Sequence, residues 1–167
     1  AIFLHPAGLF GPGPTDSPGM NDLFENLKND QIPVLLPGGM PMVYGPDVGE
    51  GHVLAAEKAA IGERFILCDS YSSLVDLSRT VLEKIDPTRK VPTVMPLGVA
   101  KLVSFVGEVL ANITNKPPLI PKGQLIFMQW QAIPVSGKAK AQLGWHVTPF
   151  DEALETTLSY LAEDQSA

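Results

Sequence analysis

The chain has 167 residues, of which 45% are hydrophobic, with a formal net charge of -6. That is enough chain and enough apolar material for one globular domain or most of one. The twelve Lys and Arg residues are scattered, with Lys138 and Lys140 the nearest thing to a patch, so nucleic acid is excluded as an expected partner. No run reaches the about 20 apolar residues of a membrane span; the longest, Leu97 to Ile113, is broken by Lys101 and Glu108.

In chain order, Ala1 to His5 reads as a strand, and its continuous apolar run suits a strand covered on both faces. The chain opens at Ala1 without a methionine and inside this run, which predicts that something upstream has been removed or left out. The strand leads into His5-Pro6-Ala7-Gly8 and Gly11-Pro12-Gly13-Pro14, a long turn. Ser17 and Pro18 suit the start of a helix carrying Met20, Leu23, Phe24 and Leu27 to about Asn29. Ile32 to Leu36 is a strand closed by Pro37-Gly38-Gly39, and Met42 to Tyr44 is another extended segment. Asp47 with Glu50 reads as a capping box for a helix to about Lys58. Arg64 to Cys68 is a strand, completing an α/β unit.

Ser73 with Asp76 starts the next helix, with Leu74, Leu77, Val81 and Ile85 on its apolar face and Pro87 as its stop. Val91 to Met95 is a strand, and a helix follows from Leu97 to about Asn112, its apolar face read as core or pocket wall. A short helix covers Gly123 to Trp130. Ser136 opens a helix that Gly144 ends, and Thr148 with Pro149 and Asp151 opens the last, with Phe150, Leu154, Leu158 and Leu161 inward. There is no internal repeat and no evident linker.

The chemical tools of a complete catalyst are few. No Gly-x-Gly-x-x-Gly follows a strand, and there is no Walker loop or Gly-x-Ser-x-Gly elbow. His5, His52 and His146 lack metal-ligand spacing with one another or with Cys68, so no metal site is expected. Asp47, Glu50, Asp76 and Asp151 stand at helix starts, where a carboxylate offsets unpaired amides. His52 reads as a surface or packing residue, Cys68 as a buried small hydrophobe, and Trp130 and Trp145 as packing residues. The lone cysteine fits a reducing, cytoplasmic setting. His5 to Pro14 is the suggestive segment: a strand end in Pro-Ala-Gly, then Gly-Pro-Gly-Pro, placed where parallel α/β sheets bind ligands, with a plain proline-rich turn as the equal alternative.

Several segments resemble one family in order. His5-Pro6-Ala7-Gly8-Leu9-Phe10-Gly11-Pro12-Gly13 is similar to the Asn-Pro-x-x-x-Tyr-Gly-Pro-Gly segment of extended short-chain dehydrogenases/reductases, the NAD-dependent epimerase/dehydratase group with its dihydroflavonol-reductase-like members. Met42 to Val48 resembles the family's strand-to-helix junction, and Glu50 to Lys58 its following helix. Gly62-Glu63-Arg64-Phe65 resembles its Gly-Glu-x-Tyr strand. Ser136-Gly137-Lys138-Ala139, Leu143-Gly144-Trp145 and Pro149-Phe150 resemble its ending. The departures are His5 for the usual asparagine and Gly45-Pro46 for a more regular strand end. The family's Tyr-x-x-x-Lys pair is missing: the fourth residues after Tyr44, Tyr71 and Tyr160 are Val48, Val75 and Asp164.

The resemblance implies an α/β fold: the C-terminal part of a Rossmann-like enzyme, with few short strands and a mostly helical substrate-binding lobe. It implies that residues 1–167 are the substrate-binding half of an NAD(P)-dependent oxidoreductase or epimerase acting on a carbonyl or alcohol of a small molecule. The partner would be the N-terminal half of the same polypeptide, bearing the glycine-rich loop and the catalytic tyrosine and lysine. No catalytic residue then lies within this chain. The resemblance places Pro6, Ala7 and Gly8 against the nicotinamide end of NAD or NADP and gives Asn21 and Tyr44 to the substrate. The region after Gly39 and the helix from Leu97 would wall the pocket. A competing expectation is a non-catalytic ligand-binding module derived from that family.

Overall fold

The computed structural model describes residues 1–13, 19–114, 116–118 and 120–164. Its elements are β1 (Phe3–Pro6), β2 (Gly8–Phe10), α1 (Met20–Lys28), β3 (Val34–Leu35), β4 (Gly39–Tyr44), α2 (Gly45–Lys58), β5 (Arg64–Leu67), β6 (Ser70–Ser73), α3 (Leu74–Ile85), β7 (Thr93–Val94), α4 (Leu97–Thr114), α5 (Lys122–Trp130), α6 (Gly137–Leu143) and α7 (Phe150–Asp164). This is the expected α/β class, with helices dominating and strands of two to six residues. The Ser17 and Pro18 helix start lies outside the described residues. The strand pairs β1–β5, β2–β4 and β3–β7 are all parallel, as α/β crossovers require. Strand β6, adjoining β4 in the order β2-β4-β6, has no counterpart in the sequence reading.

The chain divides into two compact units: residues 1–29, 41–71 and 133–167, and residues 30–40 and 72–132. In the first, Val43, Phe65, Leu67, Ala139, Leu143 and Trp145 form a buried cluster. Helix α2 lies so close to β5 that a Cβ on Gly51 would stand 2.8 Å from Leu67 Cδ1 and 3.3 Å from Trp145 Nε1. The indole is fixed in turn, donating from Nε1 to Asp47 O at 2.7 Å. Gly144 ends α6 in the left-handed region (φ 70°), as the sequence predicts, and Lys58 Nζ donates to Leu143 O at that terminus.

In the second unit, Ser73 caps α3 by accepting from Asp76 N at 3.1 Å, as expected. Leu74, Leu77, Val81 and Leu82 form the buried face of α3. Ala100, Ile120 and Leu125 form a separate small core, with Leu36, Met95, Leu97 and Val103 against it.

Four expectations need correction. Asp47 does not cap α2: the helix begins three residues earlier than expected, at Gly45, Tyr44 is the cap, and Glu50 is exposed, so there is no capping box. Pro46 tolerates the early start because the first helical positions need no amide donor. Ser136 holds the cap position of α6 but accepts no side-chain cap bond. Trp130 is not a packing residue, being 74% exposed, in contrast to Trp145. The strand at the start of the chain is present, yet it is not covered on both faces: Phe3 is 41% exposed, and Ile66 on β5 is similarly open. Helix α4 divides: Ala100 is core, while Leu102, Val106, Val109 and Ile113 are exposed. Among the described residues no helix is long and apolar enough to cross a membrane.

Candidate functional site

The first unit carries its candidate site where strands change partners. Strand β1 runs beside β5, and the last pair in register is Pro6 with Leu67. One residue later the chain joins a different neighbour, with Gly8 opposite Met42 of β4. Ala7 bridges the two, donating its N–H to Leu67 O at 2.9 Å. Pro6 to Gly8 therefore lies at the carboxyl end of a parallel strand and at a switch between sheets, the kind of crevice in which α/β proteins bind ligands.

Pro6 is exposed, with no amide hydrogen to satisfy. Gly8 is tight on its inner side, where a Cβ would come within 3.1 Å of Pro41 O and 3.4 Å of Met20 Sδ. None of the three residues projects a bulky side chain.

Beyond the crevice, Asn21 and Tyr44 meet at Gly11. The Asn21 side chain holds Gly11 from both sides: Nδ2 donates to Gly11 O at 2.9 Å, and Oδ1 accepts from Gly11 N at 3.2 Å. Gly11 has φ +130°, and a Cβ there would stand 2.9 Å from the Tyr44 ring. Phe10 packs on Tyr44, Phe24 and Phe150, with ring centroids 5.6, 6.1 and 5.7 Å away. The Gly-Pro-Gly turn is thus clamped by an amide and floored by aromatic rings. Tyr44 itself is buried.

The carboxylates divide by environment. Asp47, only 6% exposed, is satisfied by one residue of the last turn before α7: Thr148 donates from N at 2.8 Å and from Oγ1 at 2.7 Å. It is a tether between α2 and the chain's end. Asp69 is the titratable group that the sequence reading missed. It stands two residues past the end of β5, its N–H donating to Met42 O at 2.9 Å. Burial pushes its carboxyl above the ordinary range, with a Ser70 hydrogen bond and Lys140 opposing. Nothing in the local sequence marks it, because burial is decided by the fold. Cys68 is buried, as expected, and burial raises its thiol. His52 sits exposed on α2, Nδ1 paired with Val48 O. Among the described residues there is no grouping of three His, Cys, Asp or Glu that could hold a metal ion.

In the second unit, helices α4 and α5 line an open cleft of about 850 Å3, with Leu97, Phe105, Leu125, Ile126 and Trp130 in its walls.

No protein-family model matches the sequence, and no curated protein does. Solved structures do. The crystal structure of gox2253 is 25% identical, with a TM-score of 0.79 over 98% of this chain and 49% of its own. The chain has the fold of the C-terminal part of the extended epimerase/short-chain dehydrogenase structures. UDP-glucose 4-epimerase of Thermotoga maritima, solved with UDP-glucose, is 22% identical, with a TM-score of 0.70 over 98% of this chain and 46% of its own. UDP-glucuronic acid 4-epimerase of Bacillus cereus, solved with a fluorinated UDP-sugar and NAD, is 17% identical, with a TM-score of 0.66 over 97% of this chain and 45% of its own. The chain spans about half the length of each of these structures.

Proposed function

We propose that residues 1–167 form the C-terminal, substrate-binding half of an NAD(P)-dependent reductase or epimerase that acts on a carbonyl or alcohol group of a small molecule. The observation that carries this reading is the match of almost the whole chain to about half of larger epimerase-type structures. Two features of the chain support it. The β1–β5 pair is parallel yet exposes Phe3 and Ile66, although parallel strands are ordinarily covered. An N-terminal half of the same polypeptide would cover them. The strand end at Pro6, Ala7 and Gly8, with little side-chain bulk, suits the nicotinamide ring, and two of the similar structures, the Bordetella bronchiseptica enzyme WbmG and the Bacillus cereus UDP-glucuronic acid 4-epimerase, were solved with NAD.

In this reading the cofactor, NAD or NADP, supplies or accepts the hydride at the substrate carbon. Pro6, Ala7 and Gly8 bear on the nicotinamide and orient it. Asn21 acts through Gly11 to fix the turn beside it, and Tyr44 backs the substrate side of that turn. The proton on the substrate oxygen is exchanged by a tyrosine of the upstream half, its pKa lowered by a neighbouring lysine. The lone free cysteine, Cys68, fits a cytoplasmic setting.

The test is an assay of the full-length protein carrying these residues, with NADH and NADPH, against ketones, aldehydes and UDP-sugars. Oxidation of one cofactor by a carbonyl substrate, or interconversion of a sugar epimer, is expected. A full-length protein that neither binds nor uses either cofactor overturns the proposal.

A further inference from the structure

The cavity between α4 and α5 combines three properties that point to one class of ligand. Its walls are apolar, made by Leu97, Phe105, Leu125, Ile126 and Trp130. Its volume of about 850 Å3 lies within the roughly 300–1,000 Å3 of small-molecule pockets. Its polar elements are few, and the charged ones are of one kind: Lys101 and Lys122 line it with exposed ammonium groups. Ser104 also lines it, but its Oγ is buried away from the open space. The other polar lining residue, Gln129, is engaged, donating from Nε2 to Pro37 O. The nearby carboxylate is engaged too: Glu108 Oε1 accepts from Lys122 N at 3.1 Å. No lining residue is acidic.

We propose that this cavity binds an amphipathic monoanion, an apolar chain or ring system ending in one carboxylate or phosphate. The apolar body fills the space between Phe105, Ile126 and Trp130. The anionic head pairs with the Lys101 and Lys122 ammonium groups. A neutral alcohol of equal length would gain the apolar contacts and forgo the ion pairs. The inference rests on the second unit alone and stands whether or not the chain serves a nicotinamide enzyme.

Calorimetry of the full-length protein with monomeric dodecanoate, dodecyl phosphate, dodecanol and dodecyltrimethylammonium tests it. Both anions are expected to bind at least tenfold more tightly than the alcohol and the cation. The double variant K101E/K122E changes two exposed side chains, so folding should survive, and it should abolish that preference. Sedimentation with phosphatidylglycerol vesicles separates a free ligand from a lipid surface. Absence of binding, equal affinity for dodecanol and dodecanoate, an anion preference unchanged in K101E/K122E, or capture by vesicles without binding of the monomeric anions would each overturn the proposal.

Discussion

Two glycines of one helix make opposite predictions under the same substitution. Gly49 and Gly51 both lie in α2, where alanine is favoured over glycine by about 0.5–1 kcal/mol. At Gly49, which is exposed, an added Cβ meets nothing within 4 Å, so Gly49→Ala should stabilise by roughly that amount. At Gly51 the same methyl would stand 2.8 Å from Leu67 Cδ1, 3.3 Å from Leu67 Cδ2 and 3.3 Å from Trp145 Nε1. Leu67 is fully buried in the cluster with Val43 and Phe65, and the indole is held by its bond to Asp47 O. Neither neighbour can retreat without disturbing the core, and overpacking of that kind costs about 1–3 kcal/mol. The packing cost wins over the propensity gain, leaving Gly51→Ala destabilised by about 1 kcal/mol. Urea denaturation of the two variants beside the parent measures this directly. Equal stabilisation by both substitutions would refute the close approach of α2 to β5 and Trp145.

Thr148→Val removes a hydroxyl donor from the buried Asp47 carboxylate and should cost about 1–3 kcal/mol, whereas Thr148→Ser should retain most of the stability; thermal melts distinguish them. Asp69 has a carboxyl raised chiefly by burial, so the folded state holds its proton more tightly than the unfolded state. Its protonation favours folding below the ordinary carboxylate value, and that advantage is lost as pH rises through the raised folded value. Asp69→Asn should therefore raise Tm at neutral pH and change it little in acid; a gain at acid pH alone would contradict the assignment. Ser73→Ala removes the α3 cap and should cost about 1 kcal/mol. The Ser73 hydroxyl, followed by Arg79, lowers the Asp76 carboxyl. The stability Asp76 adds is present above the ordinary carboxylate value and lost as pH falls through the lowered one. The penalty of Ser73→Ala should accordingly shrink in acid, as denaturation at two pH values would reveal.

Periodicity made the helices legible. The Leu74, Leu77, Val81 and Ile85 spacing with Ser73 ahead located α3, and Gly144 located the end of α6, because caps and apolar faces are local properties. The paired strands Phe3–Pro6 and Arg64–Leu67 were visible as apolar runs, but an apolar run does not disclose whether anything covers it. That explains both Phe3 and the outer face of α4. The failure at Asp47 is instructive. Asp47 followed by Glu50 has the spacing of a capping box, yet the carboxylate is claimed by Thr148, a hundred residues later, and no local pattern encodes that bond. Asp69 and Ser104 were invisible for a related reason: what singles them out is burial, which the fold decides. Pro6 to Gly8 was legible as the end of a strand from its composition. The partner switch that places it between β5 and β4 was not.

The half-site account is tested most directly by titrating NADH and NADPH against two proteins: residues 1–167 alone and the full-length chain that contains them. The account predicts binding by the longer protein and at least 100-fold weaker binding by residues 1–167, whose Pro6–Gly8 segment can bear on the nicotinamide ring but offers no glycine-rich loop for the diphosphate. Equal affinity of the two proteins for either nucleotide would contradict it.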